Sequence, residues 1–290
     1  MRYYYGVRTA TSFRNIYPVL IALLLVFSLS VPVFAQAANN EVRERDKPAD
    51  AAELASIAER GRAIAAYDAV AWHATDAVQA LHPKEGLVQM YLGQQTSTGW
   101  VVAFGRLNEA KDSFLLAFET TPTGDIKQPK VTVNSPPVED QGQWLEEARA
   151  YDLARTAFKP QVRPYNGTVL PAPQGGWYVY FYPAQTTIES FPAGADIRYR
   201  ISHDGTKIEE THRMHVSLME YKVPTGTKPV MVVRTAILDD APEDTDVANV
   251  LMMGGMPVMI TGHNFTYKIG EDGTPVYLMK TSDLLKTIKK

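Results

Sequence analysis

One feature decides the fold class: a single helical hydrophobic period runs from Asp50 to Pro83, and most of the chain after it consists of short β-type runs. Asp50 followed three residues later by Glu53 has the form of a capping box. Ile57, Ile64, Tyr67, Ala71, Ala74, Val78 and Leu81 then recur on one face until Pro83. At 3.6 residues per turn this predicts about eight turns of helix. Its stripe is rich in alanine and tyrosine, which suits a helix laid across a sheet better than a leucine seam between helices.

Past Pro83 the runs at 87–92, 100–104, 114–118 and 131–133 are separated by glycine, proline, asparagine and threonine, the pattern of an antiparallel meander. A second helix is expected from about Gln141, with Trp144, Ala148, Tyr151, Ala154 and Phe158 on one face. Glu146 and Glu147 near its start and Arg155 near its end match the helix dipole. β-type runs return at 177–182, 197–201, 216–221, 230–237 and 265–269. The alternation of Ile197, Tyr199 and Ile201 with Arg198 and Arg200 is the plainest strand among them. A short helix is expected over 245–253, stopped by Gly254-Gly255, while His203-Asp204-Gly205 and Glu271-Asp272-Gly273 read as hairpin turns. Gly99-Trp100-Val101-Val102 and Gly176-Trp177-Tyr178-Val179 are alike, but the match is too short to establish a repeat. The expected fold is α+β: a long N-terminal helix and a second helix packed on a largely antiparallel sheet, with residues 50–290 as a single domain.

The N-terminus reads as an export signal. Residues 1–15 carry three arginines and no acid, and the run 16–34 is almost wholly apolar. Cleavage is expected after Ala35, or failing that after Ala37. An uncleaved anchor is the alternative, because such a run nearly spans a bilayer core of about 30 Å. Pro18 and Pro32 interrupt it, and the sequence turns polar at Asn39. Residues 36–49 are then a flexible lead, and the domain is placed in the periplasm or outside the cell. Loss of residues 1–35 changes the net charge from -3 to -6, which offers nucleic acid no basic field. The absence of cysteine excludes a disulfide framework, a thiolate metal site, a cysteine nucleophile and a lipid-modified cysteine.

The familiar hydrolase, phosphate-binding and metalloprotease signatures are absent, so no catalytic residue, cofactor or metal ligand is assigned. The cluster Glu209-Glu210-Thr211-His212-Arg213-Met214-His215, with His203 and His263 on either side, has the residue types of a zinc site. If residues 212–221 are extended, however, His212 and His215 point to opposite faces and cannot share an ion. Asp239, Asp240, Glu243, Asp244 and Asp246 have the chemistry of calcium ligands without the loop spacing, and they suit the start of the helix that follows. Tyr178, Tyr180 and Tyr182 line one face of a strand, as a binding surface or as packing. Trp72 and His73 on the first helix pose the same choice.

The stretches Arg60-Gly61-Arg62, Tyr67-Asp68, Ala71-Trp72-His73-Ala74-Thr75-Asp76, Gly176-Trp177-Tyr178-Val179-Tyr180 and Leu238-Asp239-Asp240-Ala241-Pro242 with Asp246-Val247 resemble a group of exported bacterial proteins to which no activity is assigned. The resemblance implies one domain and brings no ligand or catalytic residue. The leading expectation is a non-catalytic envelope or secreted protein that binds a protein, peptide or glycan and meets the membrane only through its signal. The alternatives are a hydrolase with a dispersed site, using His203, His212 or His263 with a carboxylate as general base, and an inhibitor or immunity-type protein.

Overall fold

The structure, a computed structural model, describes residues 42–160, 163–187, 190–222 and 230–288. The expected signal segment lies outside the described residues. Among those residues, no helix is long and apolar enough to cross a membrane.

Helix α1 (Ala51–Gln79) starts where the capping residues place it, the Asp50 carboxylate accepting from the Glu53 N–H at 2.9 Å. Ile57, Ile64, Tyr67, Ala71, Ala74 and Val78 are buried along its stripe. Leu81 is exposed, because the helix ends two residues before it. The later part of the expected lead is held against the fold. The Arg43 N–H donates to the Leu238 carbonyl at 2.7 Å, Arg45 pairs with Glu53, and the Ala49 N–H donates to the Tyr267 hydroxyl at 2.8 Å.

After α1 come β1 (Met90–Thr96), β2 (Gly99–Leu107), β3 (Phe114–Thr121) and β4 (Lys130–Asp140), an antiparallel meander in that order. Helix α2 (Gln143–Ala157) follows, and then β5 (Tyr165–Pro171), β6 (Trp177–Pro183), β7 (Ser190–Gly194), β8 (Ile197–Ile201) and β9 (Ile208–Arg213). Of these, β5, β6, β8 and β9 form a second antiparallel four-stranded sheet. A helix followed by such a sheet therefore occurs twice. The paired Gly-Trp sequences mark the same place in each, at the opening of the second strand. Gly176 has φ +77°, and a Cβ there would stand 2.3 Å from the Ile201 carbonyl oxygen, so the turn requires glycine.

The rest of the chain forms a small two-stranded sheet with β7 and then a four-stranded third sheet. β10 (Leu218–Lys222) pairs with β7, and β11 (Val232–Thr235) leads through α3 (Asp244–Met252) to β12 (Val258–Thr261), which lies parallel to β11. This is the one parallel pair in an otherwise antiparallel set of described strands, and the intervening helix makes it possible. β13 (Phe265–Ile269), β14 (Pro275–Lys280) and α4 (Thr281–Ile288) complete it.

Strand β6 divides the core by its period of two. Trp177, Val179 and Phe181 join Leu145, Ala148 and Ala154 of α2 together with residues of the first sheet. Tyr180 and Tyr182 face α1 and pack beside Ile64, Tyr67 and Ala71. The two helices thus cover opposite faces of the second sheet.

Helix α1 also crosses α3, and Gly61 sets the distance. A Cβ at residue 61 would lie 2.4 Å from the Val247 Cβ and 2.6 Å from the Asp244 carbonyl oxygen. Gly61→Ala gains about 1 kcal/mol of helix propensity. Overpacking of a tight crossing costs about 1–3 kcal/mol, so the expected result is net destabilisation in urea unfolding. A variant more stable than the parent would show that the helices part freely.

Candidate functional site

The acids and histidines singled out in the sequence meet at the start of α3. Glu243 and Asp246 form its capping box, the Glu243 N–H donating to Asp246 Oδ2 at 2.8 Å. Asp239, Asp240, Glu243, Asp244 and Asp246 are all buried. Carboxylates survive burial only when paired, and here each partner comes from a different part of the chain. Arg45 holds Asp239 and Glu53 together. Asp240 accepts from the Asn264 backbone N–H at 2.9 Å and from its side chain at 3.1 Å. Asp244 has Arg60 Nη2 at 2.8 Å, Arg198 Nη1 at 2.9 Å and the Tyr180 hydroxyl at 2.9 Å. Glu243 meets His212 at 2.9 Å, while Asp246 touches Arg234 and lies 3.4 Å from His215.

The two histidines do not diverge as an extended strand would require. β9 ends at Arg213, the backbone leaves the strand at buried Met214 and His215 before bending at 216–217, and both imidazoles reach the same helix end. Their chemistry is nevertheless committed to the interior. His215 Nδ1 lies 2.7 Å from Asp196 Oδ1, and its Nε2 lies 2.8 Å from Arg234 Nη2. Burial pushes the Asp196 carboxyl up, but the attraction and hydrogen bond of His215 and a bond from Thr245 hold it below the ordinary range. For His212, burial favours the neutral ring, yet the hydrogen bond and charge of Glu243 outweigh this and raise its affinity for a proton. Among the described residues, no group of three or more such side chains is placed to hold a metal ion.

The other candidates are scattered. His203 is 73% exposed and stands 3.4 Å from Glu146 at the surface. His263 is exposed on the turn before β13. Trp72 is half exposed and stacks on His73 at 5.3 Å. The tyrosine stripe is interior: Tyr180 bonds Asp244, and the Tyr182 hydroxyl lies 2.9 Å from Thr168 and donates to Asp68 at 3.0 Å.

Sequence reading missed Glu147. It stands in the first half of α2 as expected, but it faces the core at 2% exposure. Oε1 accepts from Gln94 at 2.9 Å and Gln143 at 3.0 Å, and Oε2 has no hydrogen-bond partner. Burial pushes its pKa up to about 8, against a smaller downward pull from the two amides.

Outside this cluster, one edge of the third sheet is β14. It pairs with β13 on one side, and no described strand pairs with its outer edge. Val276, Tyr277, Leu278 and Met279 are each about two-fifths exposed in succession. Two other edges are blunted in the usual ways, whereas β11, the far edge of the same sheet, also leaves Val233 exposed, next to exposed Val230 and Met231. β4 carries Pro136 and Pro137, and β9 carries Glu209, Glu210, His212 and Arg213. β14 has Pro275 at its start, Lys280 at its end and only apolar or aromatic residues between them, with a bulge at Leu278 between the pairs Tyr267–Tyr277 and Thr266–Met279. Beside it α4 leaves Leu285 half exposed.

No known protein family, curated protein or solved structure matches this chain.

Proposed function

We propose that this is an exported, non-catalytic binding protein that takes up an extended polypeptide strand along β14. The observation that carries the reading is the run of four exposed apolar residues on an open sheet edge. Such an edge offers unpaired backbone N–H and C=O groups for strand addition and side chains for selectivity. The ion pairs around α3 support this reading from within. They tie α1, the second sheet and the third sheet to one helix end, so the edge belongs to a rigid body. They also occupy both nitrogens of His215, which counts against His215 as a general base. Export rests on the arginine-flanked apolar run of residues 1–34.

The absence of cysteine makes a clean test possible. Leu278→Cys carrying an environment-sensitive dye is expected to shift its emission to the blue when titrated with an alternating valine–threonine peptide. The same dye on Val133→Cys, at the proline-blunted edge, is expected to respond far less. Equal responses, or none at either position, would sink the reading. Its location is checked separately: protein from its native host is expected to begin at residue 36 or 38 and to appear outside the cytosolic fraction.

A further inference from the structure

We infer that α2 is a cover over the first two sheets whose opening is governed by one proton, the one held by the buried Glu147 carboxyl. The device is separate from the β14 edge and does not depend on it. Helix α2 forms an outer layer: Leu145, Ala148, Ala150 and Ala154 bury against Met90, Leu92, Ala103 and Phe114 of the first sheet and Val169, Val179 and Tyr199 of the second, while residues 155–157 are exposed. Its ionic ties lie at the surface, where Lys111 pairs with Asp152 at 2.6 Å and His203 stands 3.4 Å from Glu146. Gly142 at its N-cap supplies no side-chain bond to the first turn. By contrast, Arg60, Arg198 and Asp244 bind α1, α3 and the second sheet together from within.

Glu147 belongs to the covered face. Oε1 takes the N–H groups of Gln94 from β1 and Gln143 from α2, and Oε2 has no partner. The titratable groups that act on it from the neighbouring elements bring no positive charge: Tyr67 from α1, Asp140 from β4 and Glu146 from α2 itself. A neutral acid fits this site, whereas a carboxylate would be buried without a counter-charge. With α2 down, burial therefore holds the proton up to about pH 8, and with α2 lifted the carboxyl meets water and gives it up near the ordinary 4.5. The open form loses its proton first. Opening then becomes about tenfold more frequent with each pH unit between about 4.5 and 8, and the rise stops above about 8, where the closed form ionises too.

Native-state hydrogen exchange on protein purified from its native host, corrected for the intrinsic exchange rate at each pH, reads this opening directly. Amides of residues 147–151 in α2 are expected to exchange through an opening that urea hardly promotes, about tenfold more often per pH unit from about 5 to 8 and level above that. In Glu147→Gln the same opening is expected to persist and to be independent of pH. Amides of residues 248–252 in α3 are expected to exchange more slowly, with the steep urea dependence of global unfolding. If α2 and α3 share one steep urea dependence, α2 lifts only when the whole fold is lost, and the inference is overturned. An opening of α2 equally frequent at pH 5 and pH 8 in the parent overturns it as well. Denaturant unfolding does not report this local opening, so the global stability of Glu147→Gln is a separate measurement.

Discussion

Asp244→Ala is expected to lower folding stability by about 3–5 kcal/mol, the cost of breaking a buried ion pair by removing one partner. Asp244 is 1% exposed and sits between two arginines and a tyrosine hydroxyl. Its loss leaves Arg60 partly buried without its carboxylate. Arg198 keeps a more distant contact, Glu210 at 3.8 Å, and lies 4.7 Å from the centre of the Tyr178 ring. The penalty therefore comes mainly from charges left behind and not from the attraction itself. Asp244→Asn keeps the shape but not the charge, and is expected to fall between alanine and the parent in urea unfolding. A loss below about 1 kcal/mol for the alanine variant is what a solvated surface pair would give, and it would show that this cluster does not hold the three layers together.

Glu147→Gln is expected to stabilise the protein at alkaline pH. The folded pKa of about 8 stands above the ordinary 4.5, so the folded state binds the proton more tightly than the unfolded state. Stability is then fully present below about pH 4.5, declines as pH rises, and has lost this contribution once pH passes about 8. At about 1.4 kcal/mol per tenfold change in proton affinity, the ceiling is about 5 kcal/mol. Glutamine imitates the neutral acid and leaves a carbonyl oxygen for Gln94 and Gln143. Parent and variant are expected to match near pH 4–5 and to differ by about 3–5 kcal/mol near pH 9. Chemical denaturation across that range is the measurement. A difference independent of pH would mean that Glu147 does not exchange its proton with folding.

The regular elements were legible where one periodicity dominated. Asp50 and Glu53 place the start of α1 to the residue while its end falls at Gln79, short of Pro83, and Ile197–Ile201 and Phe265–Ile269 stand as expected. β7, β12 and α4 were missed, and for β9 and β14 only the hairpin turns before them were read. β12 has four residues, too few for a period of two to declare itself, and α4 is barely two turns long. The acids before α3 were recognised as helix-start residues, and two of them form its capping box. Their arginine partners were not foreseen, since Arg60 and Arg198 lie 184 and 46 residues away from Asp244. Glu147 illustrates the same limit. One helical turn holds both a dipole-compensating exposed position and a core-facing one, and sequence position alone made Glu146 and Glu147 look alike.

By itself the sequence determined the fold class and the sites of caps and turns, because hydrophobic period, capping chemistry and the glycine turn are set by neighbours along the chain. Only the tertiary structure decided which acids are buried, which histidine nitrogens are spent and which strand edge is left open. Burial and ion pairing depend on groups far apart in sequence that meet through packing, and a strand is an edge only in relation to the strands that end up beside it.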